Sequence, residues 1–207
     1  MFYFTKTPWW IKIVYPECIW KIDTSEKNLY LTFDDGPEPS VTPFVLNELN
    51  KYNAAATFFC IGKNVEQNFK TYKEVIDAGH AIGNHTYDHL NGWKTNDKKY
   101  LENIFKAKQI IDSNLFRPPY GRITKFQLAQ LNGAKYNLRT IMWSVLSGDF
   151  DQKLSTDDCF LNVTRNSKPG SIIVFHDSKK SEEKLRVILP KLLKYFSERG
   201  FQFKKIL

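Results

Sequence analysis

Short apolar runs rich in β-branched and aromatic residues punctuate this chain near residues 29–33, 55–61, 80–83, 115–117, 138–145, 171–175 and 201–206. Helix-like stretches separate them: 40–52 with Ser40 placed to cap, 64–78 ending at Gly79, 96–114, 124–132, 155–166, and 181–199 stopped by Gly200. Strands that alternate with helices pair in parallel, because each crossover returns over one face of the sheet with a fixed hand. Such units repeated through 207 residues predict an α/β chain whose sheet closes, or nearly closes, into a barrel. In barrels of this kind chemistry gathers at the carboxyl ends of the strands. The residues that follow each run therefore carry the functional information.

The first run, Leu29-Tyr30-Leu31-Thr32-Phe33, ends in Asp34-Asp35 before Gly36-Pro37 turns the chain. Adjacent carboxylates repel unless a cation or a shared proton relieves them, so the pair is a candidate metal and general-base site. The plainer alternative is a solvated Asp-Gly turn. His85-Thr86-Tyr87-Asp88-His89 sets two of the chain's four histidines four residues apart. On a helix, or a helical first turn, that spacing puts both rings on one face. Two histidines with Asp35 as third ligand would hold a divalent ion and leave positions open for water and substrate. Leu115-Phe116-Arg117 runs into Pro118-Pro119, which stiffens the backbone. Ser171-Ile172-Ile173-Val174-Phe175 ends in His176-Asp177. One barrel mouth would collect Asp34, Asp35, His85, His89, Arg117 and His176.

Thr32-Phe33-Asp34-Asp35-Gly36, His85-Thr86-Tyr87-Asp88-His89, Arg117-Pro118-Pro119-Tyr120, Asp149-Phe150 and Val174-Phe175-His176 resemble, in order and spacing, the five motifs of the NodB-type polysaccharide deacetylases, carbohydrate esterase family 4. The resemblance spans roughly residues 28–207. It implies a distorted (β/α) barrel of about seven parallel strands. It also implies metal-dependent removal of N-acetyl groups, with O-acetyl as a variant, from an amino-sugar polymer such as peptidoglycan or chitin oligomers. On this resemblance Asp35, His85 and His89 hold one divalent metal, zinc first, with nickel, cobalt or manganese as alternatives. Asp34 matches the general base and Arg117 the residue that pairs with it. The Tyr120 backbone N–H matches the oxyanion donor. His176 matches the general acid and Asp149 its orienting carboxylate. Val174 and Phe150 match the walls around the acetyl methyl. The chain departs from the family in its fourth motif, where Leu146 stands in place of an aspartate and Phe150 in place of a tryptophan. Val174 replaces a common leucine. These changes bear on specificity more than on chemistry.

The length suits one domain with a sizeable core, read as an N-terminal segment, 1–27, packed on a barrel domain, 28–207. Trp93, just past the histidine motif, is expected to line a groove. A net charge of +8 suits either an anionic polymer such as cell-wall glycan or simple solubility. The lysines are spread along helices and no recognition motif accompanies them, so nucleic acid is not an expected partner. Cys18, Cys60 and Cys159 form neither a disulfide framework nor a metal pattern, and Cys60 reads as a buried thiol. Met1–Trp20 is apolar but broken by Lys6, Pro8, Lys12 and Pro16, so it reads as neither a signal peptide nor a membrane span. Its Trp9-Trp10-Ile11-Lys12-Ile13-Val14 suggests strand-like packing on the barrel, with an aromatic membrane-surface anchor as the second reading. A monomer is expected, cytoplasmic by default, with action at the wall left open. Two rival functions remain: a metal-independent cyclic imide or ureide hydrolase of the same fold, and a glycan-binding module without catalysis. The first is expected to lose the metal triad, the second to lose Asp34 or His176.

Overall fold

The structure, a computed structural model, describes residues 3–133 and 136–207. Its central strand, β1 (Asn28–Asp34), is buried at every position, as a parallel strand covered on both faces should be. Seven further strands follow: β2 (Thr57–Cys60), β3 (Ala81–Asn84), β4 (Leu115–Phe116), β5 (Arg139–Thr140), β6 (Val145–Leu146), β7 (Ile172–His176) and β8 (Gln202–Phe203). They lie in the order β5-β4-β3-β2-β1-β7-β6, with β8 against the start of β1, and every pair is parallel. The helices are α1 (Trp9–Val14), α2 (Thr42–Asn50), α3 (Gly62–Gln67), α4 (Phe69–Asp77), α5 (Asp97–Lys108), α6 (Lys125–Asn132), α7 (Thr156–Asn166) and α8 (Glu182–Ser197). The result is the expected distorted barrel.

The predicted run 138–145 divides into β5 and β6, which end opposite edges of the curled sheet. The N-terminal segment crosses the gap between them. Ile19 bridges Ile141, Lys21 bridges Ser171 and Lys6 bridges Val145. Met142 N–H donates to the Ile19 carbonyl at 2.8 Å, and Thr7 N–H to the Ser144 carbonyl at 3.1 Å.

Side-chain alternation along β1 decides what faces the barrel mouth. Leu29, Leu31 and Phe33 point outward into a core shared with Val45 and Leu49 of α2 and Leu185, Ile188 and Leu189 of α8. Tyr30 points into the barrel with Phe59, Leu115, Ile141 and Ile172. Thr32 and Asp34 share the parity of Tyr30, so the strand carries Asp34 to the inner mouth.

Several local expectations are corrected. The helix expected from residue 40 starts at Thr42 with no side-chain cap, and the Ser40 N–H and hydroxyl turn to Glu38 Oε1 instead. The 64–78 stretch breaks at Asn68, whose φ of −128° ends α3 before α4 begins. Trp9–Val14 is a helical turn rather than strand-like, since Pro8 supplies an extended N-cap residue. His85–His89 is a loop, not a helical turn, because Thr86 and His89 take left-handed φ of 63° and 56°.

Candidate metal and catalytic site

Arg117 follows β4 and is completely buried. Its Nη1 donates to Asp34 Oδ1 at 2.7 Å and to Thr32 Oγ1 at 2.6 Å. Nε donates to the Ile141 carbonyl and Nη2 to the Met142 carbonyl, at 3.1 and 3.0 Å. The guanidinium also lies 4.1 Å from the Phe59 ring centre. Burial pulls the guanidinium down from its ordinary value, and the Asp34 charge and hydrogen bond oppose that. A buried ion pair is tolerable when its other donors find partners, and here two backbone carbonyls take up Nε and Nη2.

Asp35, His85 and His89 come together beside this pair. One ligand atom from each lies within 4.8 Å of the others. His85 Nδ1 sits 2.8 Å from the Arg117 carbonyl, the arrangement of an N–H donated there, which leaves Nε2 unprotonated toward the cluster. Burial lowers the His85 imidazole to about 4, so the ring is neutral at pH 7, as a ligand must be. Asp35 Oδ1 is buried without a well-aligned hydrogen bond, although His89 Nε2 and His85 Nε2 lie 3.2 and 3.6 Å away. A buried carboxylate oxygen without a donor costs stability unless something else satisfies it. Two imidazoles, one carboxylate and that orphaned oxygen fit a divalent cation with open coordination positions. The loop that carries the histidines is pinned by Asn103 of α5, whose Oδ1 accepts from Tyr87 and Asp88 N–H at 2.8 and 3.0 Å.

Opposite lies His176, at the end of β7 and in register with Asp34. Asp149 holds it at two points. Its Oδ2 accepts the His176 backbone N–H at 2.7 Å, and its Oδ1 lies 2.8 Å from ring Nδ1. Nε2 is thereby left facing the cleft. Burial alone would lower this imidazole, but the Asp149 charge and hydrogen bond, with Asp35 and Asp34 adding, raise it to about 9. Asp149 is itself fixed by Ser147 Oγ and Phe150 N–H, both at 3.0 Å.

A cleft of about 560 Å³ opens over these groups. Trp93, Tyr120, Leu146, Phe150 and Val174 all line it. Trp93 donates Nε1–H to the Ile123 carbonyl at 2.9 Å and carries Arg122 against its face. Tyr120 has a left-handed φ of 61°, and its ring packs on His89 with centroids 4.7 Å apart. The Phe150 ring stands edge-on to His176 at 5.1 Å.

Two contributions were not foreseen from the sequence. Tyr3, Trp10, Ile11 and Val14 of the N-terminal segment form one wall of the cleft. The i, i+4 spacing of Trp10 and Val14 after Pro8 was the available signal. Asp177 is fully buried behind the Asp34-Asp35-Gly36 turn, accepting from Gly36 N–H at 3.2 Å and Thr42 Oγ1–H at 2.6 Å. It follows a strand end as the first acid pair does, and that parallel could have marked it.

Residues 21–138, more than half of the chain, match the family described as polysaccharide deacetylase. A peptidoglycan-N-acetylglucosamine deacetylase of Bacillus cereus is 35% identical over 190 residues, covering 89% of this chain and 88% of that protein. A chitooligosaccharide deacetylase of Azorhizobium caulinodans is 35% identical over 164 residues, covering 76% and 77%. The crystal structure of the Bc1960 peptidoglycan N-acetylglucosamine deacetylase, bound to a naphthyl-substituted N-hydroxybenzamide, superposes with a TM-score of 0.87. That pair shares 32% identity over 97% of this chain and 95% of the other.

Proposed function

This chain belongs to the polysaccharide deacetylase family, and from that premise we propose that it is a metal-dependent hydrolase removing N-acetyl groups from an amino-sugar glycan, with peptidoglycan or chitin oligomers as the substrate class. The observation that carries the reading is the pairing of two assemblies across one cleft. A buried Arg117–Asp34 ion pair adjoins the Asp35, His85 and His89 donor set, and an Asp149–His176 pair faces it. A structural metal site would need neither the ion pair nor the facing imidazole.

Amide hydrolysis needs a strong nucleophile, a stabilised oxyanion and a proton for the departing nitrogen. A divalent cation on Asp35, His85 and His89, zinc by its liking for nitrogen and carboxylate donors, would supply an acidified water and polarise the acetyl carbonyl. Asp34, held in place by Arg117 at 2.7 Å, accepts the proton of the attacking water. Arg117 does not act as the acid, since a guanidinium holds its proton and four of its five N–H groups are directed at Asp34, Thr32 and carbonyls. The Tyr120 N–H, on a backbone stiffened by Pro118-Pro119, is the oxyanion donor. His176 gives the Nε2 proton to the leaving amine, and Asp149 both fixes its tautomer and stabilises the imidazolium. Leu146, Phe150 and Val174 enclose the acetyl methyl, and Trp93 offers a face to the sugar.

Both rival functions are disfavoured by the same residues. An imide or ureide hydrolase would not require the donor triad, and a binding module would not require the Asp34 and His176 arrangements. Acetate release from N-acetylated chitin oligomers and peptidoglycan, before and after chelation, tests the reading. Loss on chelation and recovery with zinc is the expected outcome.

A further inference from the structure

Resting on the deacetylase reading for the cleft alone, we propose that the outer face of α1 is a peripheral docking site for an anionic lipid surface and keeps the cleft close to it. Trp9 and Ile13, one helical turn apart, are 73% and 68% exposed, the two highest values among the large apolar side chains of the helix. An exposed indole beside an isoleucine is costly in water and suited to the boundary between lipid headgroups and acyl chains.

Charge complementarity identifies the partner. Lys12 lies on the same helix, Lys6 on the bridge to Val145, and Lys21 on the bridge to Ser171. Lys168 closes the turn whose carbonyl accepts from Ser171 N–H at 2.9 Å. Burial, then the charges of Lys168, Lys21 and Lys6, lower the Lys12 ammonium, in keeping with the bridges that bring Lys6 to Val145 and Lys21 to Ser171. Acids accompany them: Asp23 pairs with Lys21 at 2.6 Å, and Glu17 lies beside Cys18, which leaves Lys6, Lys12 and Lys168 to set the sign of the patch. The patch is therefore apolar at its centre and cationic at its edge. A second copy of this chain fits poorly, because a two-fold contact would set these lysines against their own equivalents. A neutral glycan would gain little from them. An anionic bilayer meets both demands, since each basic residue near such a surface strengthens adsorption roughly fivefold.

The opposite side of α1 gives the docking a consequence. Trp10, Ile11 and Val14 line the cleft while Trp9 and Ile13 do not. Adsorption through Trp9 and Ile13 would present the cleft to glycan at the membrane surface. Contact of this kind is superficial, since among the described residues no helix is long and apolar enough to cross a membrane.

The test is co-sedimentation with vesicles of phosphatidylcholine alone and of phosphatidylcholine with phosphatidylglycerol. The intact chain should bind the anionic vesicles, more weakly as salt rises. W9S/I13S should weaken binding by on the order of 100-fold, from two lost apolar insertions. K12E/K168E should abolish the preference for anionic vesicles. Acetate release from soluble chitin oligomers should be unchanged in W9S/I13S, which verifies its fold. Absence of acetate release in every form would sink the deacetylase reading while leaving vesicle binding to decide this one. The proposal is overturned if the intact chain ignores anionic vesicles, if the variants bind as well as it does, or if the substitutions abolish only self-association.

Discussion

Asp34 and His176 occupy one rung of the sheet, paired on neighbouring parallel strands although they stand far apart in sequence. Each is held by its own buried partner, Asp34 by Arg117 at 2.7 Å and His176 by Asp149 at 2.8 Å. Strand register thus places a carboxylate and an imidazole, the proposed base and acid, on either side of one cleft. Their partners are of opposite kind, a guanidinium beside Asp34 and a carboxylate beside His176.

The first prediction concerns pH. His176, raised from 6.5 to about 9, is protonated at neutral pH and loses its proton as pH rises, so activity falls on the alkaline side. A cation at the triad cancels part of the contribution from Asp35 and Asp34, which puts the limb between those two values. Asp149→Asn removes the largest raising influence and should move the limb downward. Profiles of kcat/KM against pH for both proteins check it. An unmoved limb would mean that another group sets it. His176→Ala should also slow N-acetyl substrates far more than aryl acetates, whose phenolate leaves without a proton.

Stability should report the Arg117–Asp34 pair. Arg117→Met strands a buried carboxylate and should cost about 3–5 kcal/mol in urea unfolding of chelated protein. Asp34→Asn alone removes the charge that Arg117 faces. The double variant should recover much of the loss, giving a coupling of at least about 1 kcal/mol in the mutant cycle. Additive losses would show that the two charges do not depend on each other.

Asp177 and Gly36 make a third test. Any Cβ on Gly36 would lie 2.2 Å from Asp177 Oδ2, so Gly36→Ala should destabilise the turn that carries Asp35. Asp177→Ala orphans the Gly36 N–H and should cost about 1–3 kcal/mol. Burial raises the Asp177 carboxyl from 3.8 to about 8, so the folded protein binds a proton there that the unfolded chain has released. Stability from this group therefore declines as pH climbs from 3.8 towards 8. Asp177→Asn removes that decline. Chemical denaturation at pH 6 and pH 9 on both proteins would reveal it as a smaller drop in the variant.

His80 should make the fold acid-sensitive from a point remote from the cleft. Its Nδ1 accepts the Ala56 N–H at 3.2 Å, and burial, with Lys205 nearby, lowers the ring from 6.5 to about 4. The unfolded chain binds the proton first as pH falls from 6.5, so stability drops progressively through that window and levels off below 4. In His80→Gln the drop between pH 6.5 and 4 should be shallower. Thermal melts across that range provide the comparison.

Much of this was legible in the sequence because strand ends announce themselves. Asp34, Arg117 and His176 each terminate an apolar run, and the β/α alternation alone sends such ends to one mouth. The meeting of His85 and His89 was also foreseen, but through the wrong geometry. Left-handed φ at Thr86 and His89, rather than helical periodicity, brings the rings together, and a β-branched threonine gives no sign of that conformation. The helical turn at Trp9–Val14 was hidden for a related reason. Six residues carry too little periodicity to separate helix from strand, and its inner face acquires meaning only once Ile19 and Lys21 cross the seam. The burial of Asp177 rests on contacts with Gly36 and Thr42, so distant in sequence that only its place after a strand end hinted at it.

The central claim is that Asp34 and Asp35, adjacent in sequence, divide the work, one as base and one as ligand. Metal content and acetate release measured on the same preparations of wild type, Asp34→Asn and His85→Ala test it most directly. The account predicts about one divalent ion per chain in wild type and in Asp34→Asn, with the Asp34→Asn rate down by roughly 10²-fold or more. It predicts His85→Ala to lose ion and activity together. An Asp34→Asn protein that lost its metal, or that kept both metal and full rate, would contradict it.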